Sequence, residues 1–144
     1  MSVSYAVATA VIFVWLGMVI AISFVEAPLK FRAPGITIPL GLGIGRLVFR
    51  ALNAVEAGAA IVLIVCAVAG GWVGQTAGIL AVVAAVVLAV QLVGIRPALN
   101  RRSDEVLAAG DADGPRSHAH LVYVAAEVVK VCVLIATGVV LLAG

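Results

Sequence analysis

Charge is what this sequence has least of. Of its 144 residues only 11% are Asp, Glu, Lys or Arg, while 65% are hydrophobic; a soluble domain carries about a quarter charged residues. The shortage excludes a chain whose whole surface faces water. Regular alternation of apolar and polar residues is missing too, which excludes a transmembrane β-barrel. The two cysteines, Cys66 and Cys132, both fall deep in apolar runs and read as small buried side chains rather than a disulfide or metal pair. A net charge of +2 is no nucleic-acid signature, and none is expected as a partner. No glycine-rich phosphate loop follows a strand, and no nucleophile stands beside a base. No apolar run carries a deep histidine for haem. Cofactors, metals and enzymatic activity are therefore not expected.

What is present is four long apolar runs, at about 4–27, 47–71, 77–95 and 121–143. Each is near or above the roughly 18–20 residues that cross a bilayer as a helix. In lipid a helix satisfies every backbone polar group internally. The expected fold is all-α, a four-helix transmembrane bundle forming one membrane domain over 1–144. The first run has no basic flank before Lys30 and no small-x-small cleavage pattern, so it reads as a permanent helix rather than a leader.

The nine Lys and Arg are unevenly placed. All but Lys130 lie in or near two connections: Lys30, Arg32, Arg46 and Arg50 between helices 1 and 2, and Arg96, Arg101, Arg102 and Arg116 between helices 3 and 4. The connection Gly71-Trp72-Val73-Gly74-Gln75-Thr76 carries no charge. The positive-inside rule puts the basic connections in the cytoplasm and both termini outside. The chain is expected to be multi-pass in the cell's inner (plasma) membrane. Tyr5 and Trp72 would mark the outer interface, and Phe31, Phe49 and Tyr123 the inner one.

Pro28 is expected to end helix 1, with Pro34 and Pro39 keeping the chain irregular. The glycine-rich stretch from Pro39 to Leu47 either lies in the interface or opens helix 2 early. Its Gly41 and Gly45 form a small-xxx-small pair, which permits close approach. The segment 97–115 reads as a solvated helical extension followed by a flexible turn at 110–114. No internal repeat or second domain is apparent.

The informative residues are the polar ones inside the runs. With the nearest basic residue marking the interface, Glu26 lies ~6 Å inward of Lys30, Glu56 ~9 Å inward of Arg50, and Gln91 ~8 Å inward of Arg96. From His120, Glu127 lies ~10 Å and Lys130 ~15 Å inward. Each helix thus places a polar side chain at a similar depth. His120, Tyr123, Glu127 and Lys130 share one face of helix 4; Arg46, Arg50, Asn53 and Glu56 share a stripe of helix 2; Trp15, Val19, Ile22 and Glu26 align on helix 1. Ionisable groups in hydrocarbon cost at least ~2.5 kcal/mol each near the centre, so these faces should turn inward.

Two readings follow. In one the layer is bundle glue, with Glu127 paired to Lys130 and both Glu56 and Glu26 paired to Arg50, Arg46 or Lys30. In the other it is a binding or proton-relay site, in which Glu26, Glu56 and Glu127 meet one deep lysine. Beyond the layer the runs are almost purely apolar, interrupted by Thr9, Cys66, Thr137 and a few glycines. That excludes a simple monomeric water-filled pore. His118 and His120, two apart, point to different sides of a helix and make no metal site alone. Asp111-Ala112-Asp113-Gly114 lacks the remaining ligands of a calcium loop. Trp15, mid-membrane, reads as packing.

The short motifs carry a resemblance. Trp15-Leu16-Gly17, Phe24, then Ala27-Pro28-Leu29-Lys30-Phe31-Arg32-Ala33-Pro34, and later Gly45-Arg46-Leu47-Val48-Phe49-Arg50, resemble the small four-helix family related to transmembrane protein 205, whose bacterial relatives have no known function. Arg96-Pro97 matches that family's proline after helix 3, and His120 its histidine near helix 4. Glu127 and Lys130 depart from its more neutral helix 4. The animal relative is associated with drug resistance and efflux, so the resemblance implies a transport-like role and transfers no catalytic residues.

The expected function is therefore transport by a homo-oligomer, using Glu26, Glu56, Gln91, Glu127 and Lys130 with Asn53, Tyr123 and His120 nearby. Ala54/Gly58 and Ala81/Ala85 are candidate packing faces. The alternative is an accessory or scaffold subunit of a membrane complex. It would hold a lipid head group or a membrane protein partner through Lys30, Arg32, Arg46, Arg50, Arg101 and Arg102, which suit anionic membrane lipids.

Overall fold

The computed structural model describes residues 2–109 and 118–144, with backbone alone at Val106, Ala109 and 118–120. Four helices are long and apolar enough to span a membrane: α1 (Val3–Arg32), α2 (Ile38–Ala69), α3 (76–109) and α4 (His118–Ala143). No strand occurs among the described residues. α1 packs on α2 and α4, and α3 packs on α2 and α4. The chain thus travels around the bundle in order, each helix antiparallel to its neighbours. One end carries the arginines and is called here the basic end; the other carries Trp72.

Each helix turns a stripe of 3- and 4-residue spacing to the centre. On α1 it is Ala8, Ile12, Trp15 and Val19; on α2 Leu52, Glu56, Ala60, Leu63 and Ala67. On α3 it is Ala77, Ala81, Ala84 and Leu88, continued by Gln91 and Ile95; on α4 Tyr123, Glu127, Lys130, Leu134, Thr137 and Leu141. The outward faces stay apolar, for instance Leu47, Ile61, Val86, Val93 and Leu142. Apolar residues all round a helix suit lipid rather than water.

Pro28 does not end α1. The regular helix Val3–Val19 widens into a π-helical stretch, Ile20–Glu26, in which Ala27 N–H reaches back to the Ile22 carbonyl. A proline lacks its N–H and its ring crowds the carbonyl four residues back; a wider turn moves that carbonyl aside and lets the helix continue. The same device precedes Pro97. Thr76–Val90 passes through the π stretch Gln91–Ile95, with Arg96 N–H bonded to the Gln91 carbonyl, into Arg96–Ala109. The helical extension expected over 97–115 is thus present as far as 109, continuous with the apolar run that ends near 95. α1 ends in a 3-10 turn, Lys30–Arg32, with Ala33 extended at ψ 136° because Pro34 follows it.

α2 opens early, at Ile38 rather than near 47. Thr37 caps it, its hydroxyl accepting from Leu40 N–H at 3.2 Å, and Pro39 sits in the first turn, where its missing N–H costs nothing. The Gly41/Gly45 pair seats side chains rather than a second helix backbone. The Phe31 ring packs on Gly41, and Lys30 Nζ lies 3.1 Å from where a Cβ on Gly45 would stand. At the Trp72 end, Gly71 takes φ 72°, and the Trp72 and Val73 backbone fills the space beside Gly78. The expected turn at 110–114, with Asp111, Asp113 and Arg116, lies outside the described residues.

Candidate functional site: a buried ion cluster

Midway along the bundle the four stripes converge on polar atoms. Lys130 on α4 is 1% exposed. Its ammonium lies 2.6 Å from Glu56 Oε2 on α2 and 2.6 Å from Glu127 Oε1, one turn away on its own helix. It donates a third bond to Gln91 Oε1 on α3 at 2.8 Å. An ammonium has three donors, so Lys130 is saturated. Gln91 in turn donates from Nε2 to Glu127 Oε1 at 2.7 Å. α1 contributes Trp15, whose indole N–H donates to Glu56 Oε2 at 2.7 Å. Trp15, Glu56 and Glu127 are each 1% exposed and Gln91 2%.

Two oxygens are left over. Glu56 Oε1 and Glu127 Oε2 are buried without a hydrogen-bond partner among the described residues. Two carboxylates face one ammonium, so the cluster formally carries one surplus negative charge. An uncompensated charge in a dry interior is expensive. Either orphaned oxygen could take a proton without breaking any bond the cluster already makes.

Both ends of the cluster are closed. Towards Trp72 the core is Ala8, Ile12, Leu63, Ala67, Leu134 and Leu141, and Thr137 spends its hydroxyl on its own helix, at Val133 O. Towards the basic end, Tyr123 is 7% exposed and meets Phe49 edge-on at 6.0 Å. The Arg96 guanidinium carbon lies 4.5 and 5.2 Å from the centres of the Phe49 and Tyr123 rings, and Lys30 Nζ stands 5.9 Å from the Phe49 ring. To the side, a crevice of about 280 Å³ between α1 and α2 is lined by Val14, Met18, Val55 and Ala59 together with Trp15 and Glu56.

The residues expected from the sequence divide accordingly. Glu56, Gln91, Glu127 and Lys130 come together, and the Glu127–Lys130 pair is as expected. Glu56 pairs with Lys130 across the bundle rather than with Arg46 or Arg50, because those arginines lie nearer the basic end. Glu26 stays outside the cluster: it lies 3.7 Å from Lys30, and α1 reaches the cluster's depth with Trp15 instead. Tyr123 covers the cluster, and Asn53 lies in a separate recess nearer the basic end. The side chains of His118 and His120 lie outside the described residues.

Of the head-group candidates, Arg46 binds Asp104 at 2.6 Å, Arg102 lies 3.8 Å from Glu105, and Arg32, Arg50 and Arg101 are exposed. Lys30 is turned inward, its side chain 11% exposed, against Phe31 and Phe49. Sequence reasoning passed over Trp15 as a hydrogen-bond donor and Arg96 as a stacked cation. A mid-membrane indole with one N–H to satisfy was the available signal for the first. No group of His, Cys, Asp and Glu able to hold a metal occurs among the described residues. Comparison with family models, curated proteins and solved structures finds no match to this chain.

Proposed function

We propose that this chain is a multi-pass transport protein of the plasma (inner) membrane, working as a homo-oligomer, in which the Glu56–Lys130–Glu127–Gln91 cluster takes up one proton or small cation from the cytoplasmic, basic end. The observation that carries the reading is the pair of orphaned carboxylate oxygens, Glu56 Oε1 and Glu127 Oε2, beside an ammonium that already has its full set of acceptors. A cluster kept only as glue gains nothing from a buried surplus charge, and intramembrane charges are functional candidates by default. The positive-inside rule supports the orientation, and the resemblance noted above also implies transport. The closed apolar half near Trp72 fits a site that opens to one side at a time. Homo-oligomerisation is consistent with the small residues Ala54 and Gly58, which face outward.

The test is flux in vesicles. Purified protein reconstituted with an internal pH dye, under an imposed gradient, is expected to pass protons or to couple them to a cation. Glu56→Gln and Glu127→Gln should each reduce that flux at least tenfold while inserting and unfolding like the parent. Unchanged flux in both variants, or no flux in the parent with any cation tried, would overturn the reading.

A further inference from the structure

A second polar recess lies between α2 and α3 at the basic end. It measures about 440 Å³ and is lined by Arg46, Arg50, Asn53, Arg96, Asn100 and Asp104, with Leu92 as its apolar side. Residues 46, 50 and 53 recur at helical spacing on one stripe of α2, and 92, 96 and 100 on the facing stripe of α3. The π stretch ahead of Pro97 keeps α3 helical through this region, which is what brings Arg96 and Asn100 opposite Arg50.

The three guanidinium groups are held differently. Arg46 donates to Asp104 Oδ1 at 2.6 Å and to the Asn100 carbonyl at 2.8 Å, yet its Nε is buried with no partner among the described residues. The Arg96 guanidinium carbon stands 4.5 Å from the Phe49 ring centre and 5.2 Å from that of Tyr123; a cation–π contact uses the charge without spending an N–H donor, and Arg96 makes no hydrogen bond or ion pair among the described residues. Arg50 makes no hydrogen bond or ion pair among the described residues. Against one aspartate the recess thus holds a surplus of two positive charges, with like charges gathered in one concavity. Such a gathering costs free energy until an anion arrives.

We propose that this recess binds a phosphate group. Several planar, fork-shaped donors converging from two helices match the oxygens of a tetrahedral oxyanion. A phosphate monoester carries about −1.5 to −2 at neutral pH, which balances the surplus. Asn53 and Asn100 add neutral side-chain amides at the wall. Asp104, whose side chain is 64% exposed, steadies Arg46 from the rim. The exposed Leu47 and Val93, beside Arg46 and Leu92, would meet acyl chains if the phosphate arrives on a lipid. The phosphate comes either from such a head group or from a small soluble phosphate; the recognising chemistry is the same. The inference is independent of the transport reading.

The experiment measures the unfolding midpoint of the full chain in neutral detergent while one probe is titrated at constant ionic strength. The probes are a short-chain phosphatidic acid, a short-chain phosphatidylcholine as the zwitterionic control, and inorganic phosphate against chloride. Saturable stabilisation by phosphatidic acid alone supports the site with a lipid source; saturable stabilisation by inorganic phosphate as well supports it with a soluble source. Arg50→Gln removes a side chain that holds nothing else in place, so its fold should persist while the apparent affinity falls at least tenfold; Arg50→Lys should lose part of that. Arg101→Glu, on the exposed surface, reports general surface charge. The proposal is overturned if no probe stabilises the parent, if Arg50→Gln binds as the parent does, or if Arg101→Glu weakens binding as much as Arg50→Gln.

Discussion

Lys130 is the residue on which the charge balance of the bundle turns. Replacing it with Met leaves Glu56 and Glu127 facing each other without a cation, and breaking a buried pair from one side costs about 3–5 kcal/mol. Glu56→Gln or Glu127→Gln has the opposite logic. Each leaves one carboxylate and one ammonium, and the amide oxygen still accepts the bonds the carboxylate oxygen accepted. Thermal unfolding in detergent should therefore show a large loss for Lys130→Met and, for either Gln variant, a change within about 1 kcal/mol. If the Gln variants lose as much as Lys130→Met, the surplus-charge argument fails. Half of this cluster was legible in the sequence. The spacing of Glu127 and Lys130 alone dictates their pairing, and depth estimates brought Glu56 and Gln91 level with them. The partner of Glu56 was not legible, because which residue faces it from across the bundle depends on which helices are neighbours and on how they are rotated. Glu26 does pair with Lys30, as the bundle-glue reading expected, but it does not join the cluster: counting inward from Lys30 measured a distance along α1, and Lys30 itself is folded inward rather than marking the interface.

At the scale of the helix, apolar runs located the four spans but misjudged their ends. An apolar run reports how much of a helix lies in hydrocarbon, roughly 30 Å, and not where its hydrogen bonding stops. α2, with 32 residues, is about 48 Å long, so its first turns carry glycines and arginines beyond any apolar count. The proline rule failed at Pro28 because a π stretch accommodates its ring, as another does at Pro97, and nothing in the local sequence announces that. Small residues separate cleanly by position. A methyl on Gly78 would press on the Trp72 and Val73 backbone, which cannot swing away, so Gly78→Ala should destabilise by about 1–3 kcal/mol. Gly58 has nothing within 4 Å and sits inside α2, so Gly58→Ala should be neutral or add up to about 1 kcal/mol. Unfolding midpoints of the two variants side by side check the contrast; equal losses would mean that crowding at the turn is not what selects glycine at Gly78. Ala81 lies in the core, whereas Ala54 and Gly58 face outward.

For the whole molecule, the two ends differ in kind. One is ringed by arginines and stacked aromatics; the other is closed by Trp72, whose indole donates to Ser4 Oγ at 3.3 Å, and by Tyr5, whose hydroxyl donates to Gln75 Oε1 at 3.0 Å. The proposed orientation has a direct consequence for labelling. In a chain whose own Cys66 and Cys132 are replaced by alanine, Asn100→Cys should react with a membrane-impermeant maleimide only from the cytoplasmic side, and Gln75→Cys only from outside; the reverse pattern would invert the topology. The uneven distribution of nine basic residues made the difference between the two ends legible, whereas the order of helices around the bundle had no counterpart in the linear pattern. The two tryptophans stand at two points of that polarity. Trp15 rests its N–H on a cluster carboxylate at 2.7 Å, and Trp72 on the Ser4 hydroxyl at the other end of the bundle. The emission of an indole follows the charge beside it, so under the proposed function the arrival of a proton or cation on Glu56 would alter the light from Trp15, with Trp72 as an internal reference. On that reading the bundle would carry its own optical gauge, readable without any attached dye.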